Sequence, residues 1–365
     1  MTTFNTPAAI EARIRPTGWR QISAWAAAAL LLSACATRQP VTTTPPKSPA
    51  APTLSALPAP APLRSIVVQQ ERLYRVAAPL LTQNAPLCKA NARNLLGFSA
   101  KNKYSFPKEF VADAQKAYGL DEQLQVIQVL TDSGAERAGI KRGDRLVSVN
   151  DKPFPLGPNA ERQAATILGP LVRNRSLIKL TVARNDKNIP LSIPLTRACA
   201  FAVELGNADN VNAYADGQRV MITRGMLDFV QSDAELALVL AREFAHNALA
   251  HASKQKMSAT IGGIIDNLIR HTPDLDAING MAGIKAYPQN FDAAADNLSL
   301  YMLARAGYPI DNAAAFWQRL DRQYPATILN GYTAIHPATG YRLATIAKTV
   351  AEIQAKQANK KPLLP

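Results

Sequence analysis

Two hydrophobic periods divide this chain. In its first half apolar residues alternate: the run "QLQVIQVL", residues 123–130, puts every second side chain on one face, as a half-buried strand does. Residues 176–184, "SLIKLTVAR", and 188–195, "NIPLSIPL", read as two more strands, with a helical stretch at about 160–171 before them. From Ala198 onward the pattern turns mostly helical. "SDAE", Ser232 to Glu235, is a capping box that opens one helix, since Ser232 can cap the amides while Glu235 reaches back. Further helices are predicted at about 257–270, 291–306, 312–323 and 338–357; Gly307 ends the second and Pro309 precedes the third. Residues 65–81 have helix-compatible spacing and form a lead-in element. There is no internal repeat. The expected fold class is α+β.

The first 63 residues carry a different pattern. Arg13, Arg15 and Arg20 precede a compact apolar run, "ISAWAAAALLLSA", which is shorter than the ~20 apolar residues of a membrane span. A basic segment followed by a short apolar one is a secretory signal. It ends in "LSAC", which resembles the bacterial lipobox, so Cys35 is expected to become a lipidated N-terminus. Ala36 follows, and in lipoproteins of this kind the lack of Asp there implies outer-membrane sorting, facing the periplasm. A diacyl chain plus an amide-linked one anchors stably where a single chain does not. Residues 37–63 are too rich in proline for helix or sheet and read as an extended tether.

Length and charge narrow the reading. A chain of 365 residues, 47% hydrophobic and 19% charged, holds two or three globular units. Its formal charge is +14; removing three positives and one negative with the leader leaves +12. The surplus suits an anionic surface such as lipid head groups, or simply a solvated basic face. Basic residues are scattered without interleaved aromatics, so nucleic acid is not expected as a partner. Beyond Cys35 only Cys88 and Cys199 remain, an even pair that suits a disulfide in an oxidising periplasm, two free thiols being the alternative.

Residues 103–196 resemble a bacterial PDZ domain through "SGA" at 133–135, "AGI" at 138–140 and "GDRL" at 143–146, leading to Val149 and Asn150. Gly134, Gly139 and Gly143 stand where turns favour positive φ. The resemblance implies binding of extended peptides, including C-terminal peptides, as an added strand. Gly119 and Leu120, in "YGL", are the expected carboxylate loop.

The chemistry gathers in "VLAREFAHNALAH", residues 239–251. In an H-E-x-x-H helix two imidazoles four residues apart grip one zinc ion and the Glu acts as general base. Here Arg242 stands in the first position, with Glu243 and His246 following. On its own "REFAH" is a weak signal. Three further stretches raise it: "VNAYADGQRVMITRGML" (211–227), "FDAAADNLSLYMLARAGY" (291–308) and "HPATGYR" (336–342). Together they resemble the HtpX/CAAX-prenyl-endopeptidase family of gluzincin zinc metallopeptidases, in its periplasmic lipoprotein form with a PDZ domain. The resemblance implies that Asn212 and Ala213 lie on an edge strand that pairs with substrate backbone. It implies Glu243 as general base, His246 as second ligand, and Asp292 at the third-ligand position, where the family has Glu. Asp296 is implied as the carboxylate that orients a ligand imidazole, and His336 as a cleft histidine.

Guanidinium has no lone pair to give, and a cation about 4 Å from a dication is repelled by on the order of 8 kcal/mol. Zinc is therefore the family's cofactor but is expected to be lost or weakly bound here. A rescue set of His246, Asp292 and His336 stays open. Arg242 and Asp292 are expected to form an ion pair, shared with Asp296, in place of the metal. His251, five residues from His246, points elsewhere on a continuous helix and reads as a packing or surface residue; His271 reads as a helix cap.

These readings divide the chain into a leader (1–34), a tether (35–63), a helical lead-in with Cys88 (64–102), a PDZ-like unit (103–197) and a mostly helical peptidase-like unit (198–357). The expected protein is an envelope lipoprotein that holds polypeptide clients with its PDZ-like unit and an empty zincin cleft, in protein quality control. The alternative is an active zinc endopeptidase that degrades misfolded envelope proteins.

Overall fold

The computed structural model describes residues 61–365 apart from 107, 271–272, 276–283 and 330, with backbone alone for 61–64. The leader, Cys35, the tether up to residue 60 and His271 lie outside the described residues. None of the described helices is long and apolar enough to cross a membrane.

Helix α1 (Ala61–Thr82) is followed by β1 (Ala92–Leu95), β2 (Phe98–Lys101), α2 (Val111–Tyr118) and β3 (Gln125–Val129). Next come α3 (Gly134–Arg137), β4 (Arg145–Val149), β5 (Lys152–Pro153), α4 (Ala160–Asn174), β6 (Leu177–Arg184), β7 (Lys187–Pro194) and β8 (Thr196–Cys199). The chain continues through β9 (Ala202–Gly206), β10 (Ala213–Ala215), β11 (Arg219–Thr223), α5 (Arg224–Phe229), α6 (Asp233–Ala248), α7 (His251–Lys254) and α8 (Ser258–Leu268). It closes with α9 (Gln289–Arg305), α10 (Ala313–Gln323), α11 (Tyr332–Ile335) and α12 (Gly340–Ala358). The fold is α+β.

One sheet runs β2-β3-β4-β6-β7 with β5 on β4, and its pairings are antiparallel. On β6, Ile178, Leu180 and Val182 point into the core while Leu177 and Lys179 are exposed, the alternation read from the sequence. Asn185 and Asp186, both at positive φ, close the β6–β7 hairpin in the twist-compatible way. Helix α4 covers this core through Ala160 and Ala164. Gly139 and Gly143 adopt positive φ as expected, but Gly134 does not. Its constraint is close approach: a Cβ there would stand 1.7 Å from the Pro194 carbonyl oxygen. β2 pairs with β3 although it precedes residue 103, where this unit was expected to begin.

The second core joins α1, α6, α9 and the sheet β10-β11-β9. Leu73, Val76, Ala77 and Leu80 of α1 are buried in it, so the lead-in helix packs within the same core as the peptidase-like helices. Helix α6 is buried continuously from Leu236 to Asn247, as a central helix is. Strands β1 and β8 pair with each other, Ala92 opposite Cys199, and bracket the larger sheet. A disulfide joins Cys88 to Cys199 at the base of this ribbon, with Cα atoms 5.5 Å apart.

Candidate functional site

Ser232 caps α6, its Oγ accepting from the Glu235 amide, while the Glu235 carboxylate accepts from the Gln231 amide and pairs with Arg319. With its start fixed, the helix turns Arg242, Glu243 and His246 inward. Helix α9 crosses it and presents Asp292 and Asp296 one turn apart. Tyr332 comes from α11, His336 follows that helix, and Arg342 comes from the first turn of α12. All eight side chains are buried, none more than 3% exposed.

Arg242 is the hub. Its Nη2 lies 2.5 Å from Asp292 Oδ1, its Nε donates to Asp296 Oδ1 at 2.8 Å, and its Nη1 donates to the Tyr332 hydroxyl at 2.6 Å. Tyr332 in turn donates to Glu243 Oε1 at 2.7 Å. Arg342 holds Asp296 from the other side through Nε at 2.7 Å and Nη2 at 3.0 Å, and its Nη1 donates to the carbonyls of His336 and Pro337. Trp317 lies beneath both guanidinium groups, 5.2 and 5.8 Å away, and stacks on Tyr332. Two buried cations thus face two carboxylates with every guanidinium nitrogen donating, which is what makes buried charge tolerable.

The surroundings set the protonation states. Burial pulls the Arg242 guanidinium down, but Tyr332, Asp296, Asp292 and Glu243 outweigh it and leave it above its ordinary value. Burial pushes Asp292 up, yet Arg242 and His336 together hold it well below the usual carboxylate range. Burial raises Glu243 to about 7, opposed by Arg242. Burial also lowers the imidazoles, His246 and His251 to about 3 and His336 to about 4, so all three are neutral at pH 7.

His336 Nδ1 is 2.8 Å from Asp292 Oδ1, and its Nε2 is 3.9 Å from Glu243 Oε1. His246 Nε2 lies 3.5 Å from Asp292 Oδ1 and makes no hydrogen bond among the described residues. Ligand atoms of His246, Asp292 and His336 all fall within 4.8 Å of one another. Distance alone would admit a cation, but the donor set does not fit a catalytic zinc. The position expected from the resemblance to hold the first ligand is a guanidinium, and Asp292 Oδ1 already accepts from Arg242 and His336. Zinc at that oxygen would face Arg242 across roughly one ligand bond plus one hydrogen bond, a repulsion of about 8 kcal/mol at an effective dielectric of 20.

His251 departs from the sequence expectation. Helix α6 stops at Ala248, Ala250 adopts a left-handed φ of +56°, and the chain restarts as α7 with His251 aimed back inward. Its Nδ1 sits 3.1 Å from His246 Nδ1 and its ring stacks on Phe291. The helical-wheel argument fails because the helix is broken between the two histidines. Ala213 opens β10, an edge strand, and Asn212 precedes it, but both are buried, and Tyr287 stacks on His336 and packs 4.7 Å from His246. The cleft expected to be empty is therefore filled by the chain's own side chains.

Residues 189–350 match Peptidase family M48. The chain carries an M48 domain. Among curated relatives, the putative beta-barrel assembly-enhancing protease of Vibrio cholerae serotype O1 is 29% identical over 164 residues, covering 40% of this chain and 31% of that protein. The mitochondrial metalloendopeptidase OMA1 of Arabidopsis thaliana is 24% identical over 153 residues, 41% of this chain and 31% of that protein. The periplasmic pH-dependent serine endoprotease DegQ of Escherichia coli K12 is 32% identical over 115 residues, 30% of this chain and 24% of that protein. The chain thus spans between a quarter and a third of the length of these relatives. The HtrA3 PDZ domain, solved with a phage-derived ligand, is 23% identical with a TM-score of 0.20, covering 28% of this chain and 86% of that one.

Outside the M48 domain, Gly119 and Leu120 are not arranged as a strand-addition loop. Gly119 ends α2 at φ +65°, and Leu120 is buried with Ala114, Val67 of α1 and Phe110, where it docks α2. Strand addition needs a free edge, and the sheet offers β2 and β7. β7 carries Pro190 and Pro194, which lack donors, whereas β2 has none. Gly97, at φ +84°, leads into β2, and its carbonyl accepts from the Leu130 amide. By the alternation of an antiparallel ladder, the Phe98 N–H and C=O then point away from β3, toward the open side. Sequence reasoning missed this edge, as it missed Tyr332, Arg342 and Tyr287. Arg342 stood within the quoted "HPATGYR" but was given no role.

Proposed function

We propose that this protein is a polypeptide-binding member of family M48, tethered by lipid on Cys35 to the bacterial outer membrane, facing the periplasm. In it an arginine-centred ion network stands where the family holds zinc. The observation that carries this reading is the buried guanidinium of Arg242, bonded at once to Asp292, Asp296 and Tyr332. With no metal-activated water, Glu243 serves as the acceptor of the Tyr332 hydroxyl rather than as a base. Clients, including chain ends, bind through the PDZ-like unit by adding a strand to β2. The role is holding or presenting envelope polypeptides in quality control.

The second reading is an active zinc endopeptidase. The proximity of the His246, Asp292 and His336 ligand atoms, and the unpaired His246 Nε2, favour it. Metal analysis of the purified chain separates the two. Substoichiometric zinc and intact casein support the first; stoichiometric zinc, with casein cleavage abolished by Glu243→Gln, overturns it. Peptide binding is tested with a library of free carboxyl ends. Binding that is lost when alternate backbone amides of the peptide are N-methylated, and kept when the intervening ones are, identifies strand addition.

A further inference from the structure

Above the imidazoles lies a segment that the ion network does not use. Tyr287 is 6% exposed, and its ring stacks on His336 at 5.0 Å with 12° between planes. The same ring lies 4.7 Å from His246 and 6.2 Å from His251. Its backbone is pinned on both sides of the site: the Tyr287 amide donates to the Ile335 carbonyl at 2.9 Å, and the Lys285 amide lies 3.3 Å from Met257 Sδ. Among the described residues the Tyr287 side chain meets those beneath it through ring contacts, with no hydrogen bond or ion pair, so the ring is held there by packing. The Arg242–Asp292 pair seals the bottom of the pocket, and Tyr287 covers the top.

We propose that residues 284–288, with Tyr287 as the inserted side chain, form an intramolecular plug. It occupies the space over His246 and His336 that a polypeptide segment would take, and the pocket opens only when the plug is displaced. The inference rests on reading this pocket as the M48 cleft, and it adds that the cleft is self-occupied, so that client access depends on a competing segment. A packed ring on a segment with two neutral backbone anchors suits that role better than a salt-bridged lid, because displacement strands no charge.

The test uses the full chain and its histidines. Under diethyl pyrocarbonate at pH 6, followed by peptide mass mapping, His246, His251 and His336 of the wild type are expected to react at least tenfold more slowly than in the urea-unfolded chain. Tyr287→Ala should raise the His246 and His336 rates at least tenfold while melting remains cooperative, and Tyr287→Phe, which keeps the ring, should behave as wild type. Wild-type histidines that react like those of the unfolded chain, or a Tyr287→Ala chain with unchanged protection, overturn the plug.

Should Tyr287→Ala unfold, native-state hydrogen exchange on the wild type decides. The Tyr287 amide is expected to show a protection factor at least a hundredfold below those of the α6 amides, and histidine modification should follow the same opening. Histidine protection lost only with global unfolding overturns the proposal. The polypeptide-binding reading is judged separately, by the N-methylated peptides at β2, which do not involve Tyr287.

Discussion

Arg242 Nη2 and Asp292 Oδ1 meet at 2.5 Å in a site where neither side chain is more than 1% exposed. Removing one member of such a pair leaves an uncompensated buried charge, which typically destabilises by about 3–5 kcal/mol. Arg242→Ala is expected in that range, since it also empties the volume above Trp317. Asp296 stays compensated by Arg342. Asp292→Asn should fall at the low end, because His336 can still donate to the amide oxygen. The double variant should be more stable than the sum of the two losses predicts, as direct contact makes the changes non-additive. Urea unfolding of the four chains checks it; strict additivity would mean that the pair is not the unit.

The same geometry predicts how a metal could be recovered. Arg242→His with Asp292→Glu restores an i,i+4 imidazole pair and lengthens the carboxylate by a methylene. It also removes the charge that opposes a dication. The double variant is expected to retain roughly one zinc per chain after dialysis, where the wild type retains a small fraction. Equal zinc in both would place the cause of weak binding elsewhere than Arg242.

Much of this architecture was readable from periodicity. The helix expected at 160–171 is Ala160–Asn174, and those expected at 312–323 and 338–357 are Ala313–Gln323 and Gly340–Ala358. These long elements bury one stripe each, so local pattern and tertiary packing agree. The Arg242–Asp292 contact was also legible, because an unpaired guanidinium in a buried position demands a carboxylate. Tyr332 was not, since it lies 90 residues from Arg242 and 89 from Glu243, and no local spacing marks a residue that bridges two helices. His251 was misread because the break at Ala250 has no Gly or Pro to announce it. Strand β2 was missed because it has only four residues and a register shift between Ser99 and Ala100.

The Cys88–Cys199 disulfide closes a loop with a sequence separation of 111 residues at the root of the β1–β8 ribbon. Loops of this length are constrained by about 4–5 kcal/mol on the chain-entropy argument, and native disulfides typically contribute 2–5 kcal/mol. Replacing both cysteines by Ser should lower unfolding stability by about that amount. The core that contains both sulfurs also contains α1 and α6, so the loss should appear in the main transition rather than as a separate early one. A calorimetric scan of the double Ser variant with an unchanged midpoint would contradict this.

Acid should weaken the protein in a definite window. His246 and His251 at about 3 and His336 at about 4 lie below their ordinary 6.5, because burial disfavours the imidazolium. The unfolded chain therefore takes up three protons that the native state refuses as pH falls through 6.5 toward 4. Stability contributed by neutral imidazoles is present above the unfolded value and lost below it. Glu243 acts in the opposite sense: raised to about 7 from 4.5, it holds a proton in the native state that the unfolded chain has released, so its contribution declines as pH rises from 4.5 to 7. Burial also raises Glu204, which acts in the same sense as Glu243, so three protons taken up oppose one to two released and a net uptake of about one to two remains on unfolding between about pH 4.5 and 6.5. At about 1.4 kcal/mol per proton per pH unit, stability should fall by about 1–3 kcal/mol for each unit of acidification. Urea midpoints at pH 6.5, 5.5 and 4.5 measure it. His336→Asn should flatten the slope by close to one proton, and a slope of zero or of the opposite sign would mean that the three imidazoles are not held neutral.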